Sequence, residues 1–219
     1  MGSAYGLLMR RVPWWTLVSS VAAPVLLIGG WTVAAAVQPT PFDGTVRTIS
    51  ELAAQGTPYR WLMTGALVGV GLSHVVTALG LAPAAIPGRL VQGLGGLATL
   101  LVAASPLPAG GGSSPAHTTA AALSFVALAM WPAFAWVRPR SPGQAVAAFL
   151  GPRVSAAATF ALLLTLAWFV AELMSSGQRV GLAERAAAGA QALWPLAVVL
   201  SLRWAQSRTK HDHVDPGRT

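Results

Sequence analysis

Apolar residues fall into six long runs, at about 14–37, 61–81, 90–106, 117–137, 154–174 and 186–204, with short polar stretches between them. A bilayer core about 30 Å thick takes about 20 residues at 1.5 Å each, so every run can cross, the third only just. Inside the runs only His74, His117, Glu172 and Arg203 can carry charge. The pattern predicts an all-α polytopic membrane bundle of six transmembrane helices over 1–205, followed by a polar, disordered cytoplasmic tail over 206–219. The first run exceeds the roughly 7–15 apolar residues of a secretory signal and reads as a retained helix.

Segment 38–60 is the most polar part of the bundle. Pro39-Thr40-Pro41-Phe42-Asp43-Gly44 reads as a turn. A short interfacial helix over 48–54 follows: Thr48 and Glu51 have capping-box spacing, Ile49, Leu52 and Ala53 share a side, and Gly56 stops it. Gly65-x-x-x-Gly69 in the second run predicts close helix packing. Segment 109–116 reads as a flexible connector and 144–150 as a second interfacial helix. Arg179, Glu184 and Arg185 fall in the last outer loop. No internal repeat is visible, which argues against an inverted-repeat transporter.

Composition sharpens this picture. The chain is 54% hydrophobic and 9% charged, against about 25% charged in soluble domains. Cysteine is absent, which excludes disulfides and thiol chemistry. The net charge of +8 comes from residues at helix ends, where they meet lipid head groups; nucleic acid is not an expected partner. Ten of the 14 Lys and Arg lie on the side that holds both termini, which predicts cytoplasmic termini in a multi-pass membrane protein.

Ionisable groups at membrane depth cost on the order of 2.5–3.5 kcal/mol each, so each needs a reason. Glu172 lies near the outer end of the fifth helix, with Trp168 four residues earlier on the same face. His117 begins the fourth helix at that level, and Asp43, Arg47 and Glu51 lie on the segment between the first two. These five, Glu172, Asp43, His117, Glu51 and Arg47, form the candidate catalytic set, with Trp31, Trp168 and Trp194 lining a substrate pocket. The competing structural reading makes Asp43–Arg47 an ion pair, Glu51 a cap, and Glu172 a partner of water, Arg179 or Arg185. His74 reads as a buried neutral histidine bonded to a helix carbonyl, or as part of a proton relay. His211-Asp212-His213 in the tail has a loose metal-binding spacing. No HxxxH or comparable pair strengthens a metal site, and neither metal nor cofactor is expected.

Thr48-Ile49-Ser50-Glu51-Leu52-Ala53, Arg60-Trp61-Leu62-Met63, Pro106-Leu107-Pro108 and His117-Thr118-Thr119-Ala120-Ala121 follow one another in an order that resembles a known family. It is the family of small six-helix bacterial membrane proteins catalogued as domain of unknown function 998. That resemblance covers nearly all of the folded chain and implies the fold, and its abundance in actinobacteria suits the Ala/Gly/Arg bias here. In size, helical character and acidic residues the chain is also similar to small integral-membrane terpene cyclases of meroterpenoid pathways, without a shared motif. The favoured functional reading is an integral membrane enzyme acting on an isoprenoid or other lipid, most concretely a proton-initiated cyclase. The alternatives are a non-catalytic membrane accessory protein and a small transporter. Substrate, partner proteins and oligomeric state are not legible.

Overall fold

The computed structural model describes residues 11–138 and 148–214, the side chains of 148 and 208–214 excepted. The helices are α1 (Trp14–Ala36), α2 (Ile49–Leu52), α3 (Arg60–Gly80), α4 (Ile86–Ala104), α5 (Pro115–Ala135), α6 (Pro152–Met174) and α7 (Val180–Val214), with a 3₁₀ turn at Ala148–Leu150. Among the described residues there are no strands, and all helices but α2 are long and apolar enough to span a bilayer. The expected six-helix bundle is therefore the fold. Only 28% to 50% of each apolar window is buried, so much of the apolar surface points outward. Lipid accepts such a surface, whereas water does not.

Local chemistry sets the helix starts. Proline occupies the first turn of α4, α5 and α6, where its missing N–H is no loss. Ser114 caps α5 by accepting from the His117 amide. Thr48 and Glu51 form the anticipated capping box on α2, which Gly56, at φ +79°, helps to end.

The long helices form a ring in chain order, α1 against α3, then α4, α5, α6 and α7, and α7 closes against α1. The start of the described chain meets the last helix near one end of the ring, where the Val12 amide donates to Gln206 Oε1 at 3.3 Å. Helices α3 and α4 approach closely at Gly71 and Gly96: a Cβ on Gly96 would stand 2.7 Å from the Gly71 carbonyl oxygen. Gly65, the first residue of the predicted packing motif, faces open space instead.

Three boundaries differ from the sequence reading. Helix α7 starts at Val180, six residues before the predicted run, so Glu184 and Arg185 are helical and not in a loop. It also continues through Val214, beyond the boundary placed after residue 205. Of the second interfacial helix, 144–147 lies outside the described residues and Ala148–Leu150 is the 3₁₀ turn. The side chains of His211-Asp212-His213 are likewise outside them. Helix α2, the expected short interfacial helix, closes one end of the bundle. Ile49, Leu52 and Ala53 are buried in one core cluster with Leu27, Ala34, Met63 and Leu67.

Candidate functional site

The segment before α2 is folded by short-range bonds. Asp43 Oδ1 accepts the Thr45 amide at 2.8 Å, and the Arg47 amide donates to the Asp43 carbonyl at 2.8 Å. The Thr45 amide holds the exposed Asp43 carboxyl below its ordinary pKa. Arg47 Nε then reaches Glu51 Oε2 at 2.9 Å, and its guanidinium lies 4.3 Å from the centre of the Phe42 ring. Glu51 Oε1 accepts from the Thr48 amide, so one carboxylate both caps the helix and pairs the arginine.

Helix α7 clasps this segment from the side. Arg185 Nη1 donates to the carbonyls of Gly44, Arg47 and Gly181 at 2.7, 2.8 and 2.9 Å, and the Leu182 amide donates to the Thr45 carbonyl. Gly181 permits the approach, since a Cβ there would collide with the Arg47 carbonyl. One residue before Arg185, Glu184 is 4% exposed. Its Oε2 accepts from the Ile49 amide and its Oε1 from Ser50 Oγ at 3.2 Å. A carboxylate at the start of α2 takes up one of the donors a helix N-terminus leaves unpaired.

Ser50 is shared. His117 Nε2 lies 3.1 Å from Ser50 Oγ, and His117 Nδ1 lies 2.8 Å from the Ser105 carbonyl oxygen. A carbonyl only accepts, so Nδ1 carries a proton. Two bonds, His117–Ser50 and Ser50–Glu184, remain for the serine proton and one more. Either Nε2 is protonated and donates to Ser50, which donates to Glu184, or Glu184 is protonated and donates to Ser50, which donates to Nε2. Both states satisfy every group, and a shift of two protons, each along its own hydrogen bond, interconverts them with the net transfer of one proton from His117 to Glu184. Such a chain suits proton transfer. It suits nucleophilic attack by Ser50 less well: when Ser50 donates to the imidazole, its oxygen is itself hydrogen-bonded by the acid.

These three residues border a cavity of about 1170 Å³ at the α2 end of the bundle. Arg47 and Glu51 lie on the same polar wall. Residues of α5 and α6, among them Phe125, Val126, Leu166 and Phe169, make an apolar wall. The connector after α4 supplies a third side, with Gly110, Gly111 and Gly112 all at positive φ. Among the described residues no three His, Asp or Glu side chains gather as metal ligands.

The structure thus brings His117, Arg47 and Glu51 to one cavity and places the other candidates elsewhere. Asp43 is exposed in its turn and does not border the cavity. Glu172 closes the α6–α7 connection, accepting from Trp168 Nε1 at 3.2 Å and from the Arg179 amide at 3.1 Å. None of the three tryptophans borders the cavity either. Trp31 packs on the α1–α3 core, Trp168 is 37% exposed, and Trp194 packs against Phe149. His74 is buried, and its Nδ1 meets no partner among the described residues, where a helix carbonyl was expected.

The sequence reading missed Glu184 and Ser50. Spacing could have found the first. Glu184, Ala188, Gln191 and Pro195 recur at three- and four-residue intervals, so the helical pattern extends back past Arg185. Nothing in the sequence distinguishes Ser50 from other serines.

No curated protein matches the chain, and no solved structure does. A family model described as "Protein of unknown function (DUF998)" matches residues 20–201, from α1 into α7, and so takes in the helices and both halves of the hydrogen-bonded chain. The protein is a multi-pass helical membrane protein, and it belongs to that family.

Proposed function

We propose that the protein is an integral membrane enzyme that draws an isoprenoid or similar lipid into the cavity and acts on it by proton transfer. The observation that carries this reading is the His117–Ser50–Glu184 chain, with its one transferable proton, in the wall of a cavity whose other side is apolar. An imidazolium or a carboxylic acid is a weak acid beside a protonated alkene. The oxygen of an epoxide is the easier target. Protonation there breaks a C–O bond, the carbon cation rearranges or closes a ring, and loss of a C–H proton to the carboxylate or imidazole ends the sequence. The product is an isomer of the substrate, and the relay regains its proton. Phe125 and Phe169, whose ring centroids are 5.3 Å apart, give the cavity aromatic faces that favour a cation. The distribution of Lys and Arg supports a cavity mouth on the non-cytoplasmic side, reached from within the bilayer.

The test is to incubate the purified protein in lipid nanodiscs with a panel of isoprenoid epoxides, quinones and glycerolipids. The expected result is a product of unchanged mass and altered retention time, absent with His117→Ala and Glu184→Gln. Unaltered substrate across the panel overturns the reading.

A further inference from the structure

Behind the hydrogen-bonded chain, toward the middle of the bundle, lies a second cavity of about 60 Å³. Its polar lining is Ser50, His74, Thr99, Ser124, Glu184 and Gln191, drawn from α2, α3, α4, α5 and α7. Ser50 and Glu184 border both cavities, so the relay stands between them. Much of the inner lining is already held. Gln191 Nε2 donates to the Phe125 carbonyl at 3.0 Å, and the Thr99 and Ser124 hydroxyls are 2.8 Å apart. His74 is the exception: it is 1% exposed, and its Nδ1 meets no partner among the described residues. A buried imidazole nitrogen left unpaired costs about 1–3 kcal/mol. At a liquid share of about 30 Å³ per water, the space accommodates on the order of two molecules, and the polar lining can partner them.

We propose that this inner chamber is hydrated and is the inner limb of the proton path, joining Glu184 to His74. Among the described residues, Glu184 and His74 are the titratable groups on its walls. The inference rests on reading His117–Ser50–Glu184 as a relay, and it concerns how that relay is loaded. The isomerisation returns its proton to the relay, so the chamber need not act in each turnover; when a lipid fills the outer cavity and displaces its water, the chamber leaves Glu184 a proton partner on its inner side. Water in the chamber carries a proton between the Glu184 carboxylate and the His74 imidazole, with no bond other than N–H and O–H made or broken.

The chain has four histidines, so selective ¹⁵N labelling gives a sparse spectrum in which His74→Gln assigns the relevant signal. In wild-type protein in nanodiscs, without substrate, the His74 ring should receive magnetisation from water, and its shifts should move in Glu184→Gln. Ala188→Leu, which fills the chamber from α7, should abolish the transfer while the His117 signal stays. A wild-type His74 signal without transfer from water overturns the proposal, as does one that ignores Glu184→Gln. The lipid panel separates the two readings: a hydrated, coupled chamber without turnover removes the enzyme alone, and turnover with a dry chamber removes the chamber alone.

Discussion

Ser50 Oγ and Glu184 Oε1 stand 3.2 Å apart across 134 residues of chain, and this bond ties α2 to the start of α7. The same carboxylate takes the Ile49 amide, so one side chain both seats the plug helix and completes the relay. Structure and chemistry converge on it, and substitutions can separate the two roles.

Glu184→Gln should keep most of the stability, because the amide oxygen can still accept from Ile49 while the NH₂ donates to Ser50. Glu184→Ala leaves the buried Ile49 amide without its acceptor, while Ser50 keeps His117, and should cost about 1–3 kcal/mol. Thermal unfolding in detergent should rank wild type, Gln and Ala in that order, with the Gln variant close to wild type. Both should be inactive toward any lipid the wild type converts. A Gln variant as unstable as Ala would show that the carboxylate's charge, and not its acceptor geometry, holds α2.

Ser50→Ala removes the middle of the relay and leaves both ends in place. Turnover should fall at least tenfold while the melting temperature shifts little, since Ser50 is only half-buried. Equal activity in Ser50→Ala would show that His117 or Glu184 acts alone.

Gly181→Ala drives a methyl group into the Arg47 carbonyl, where backbone and not a flexible side chain must yield. The α7–loop clasp made by Arg185 should loosen, with a loss of about 1–3 kcal/mol, as for other overpacked sites. Hydrogen exchange should show faster exchange at the Leu182 and Arg47 amides, and unchanged rates at both would refute the clasp.

Asp43→Asn tests the turn. The folded carboxyl has a pKa below its unfolded value, so its contribution is present above the ordinary carboxylate range and is lost as pH falls through the folded value. The melting temperatures of wild type and Asp43→Asn should differ slightly near neutral pH and converge in acid. Because Asp43 lies outside the cavity, lipid turnover should be unchanged.

Much of the architecture was legible because the bilayer makes simple demands. Spans must be long, apolar and internally hydrogen-bonded, and six runs meet that rule within a few residues at most ends. The Thr48–Glu51 capping box and the Trp168–Glu172 pair were legible for a related reason: helical spacing of three or four residues decides both. The start of α7 was misplaced because Arg179, Glu184 and Arg185 make a charged stretch that hydropathy reads as loop. Three-dimensional packing accommodates two of those charges, since Arg185 Nη1 donates to three carbonyls and Glu184 accepts from α2, while Arg179 stays exposed.

The amino-acid sequence by itself determined a six-span helical bundle and a capped short helix at one end, and it grouped Glu172, Asp43, His117, Glu51 and Arg47 at one level without distinguishing among them. Tertiary structure alone decided which acid faces the interior. Glu172 and Glu184 are both carboxylates near the ends of adjacent helices, and hydropathy favours the first. Local bonds to Trp168 and Arg179 hold Glu172 away from the cavity, while the insertion of α2 between α1, α3 and α7 brings Ser50 and His117 to Glu184. Long-range contacts of that kind depend on how helix faces rotate against one another, which spacing within one helix does not encode.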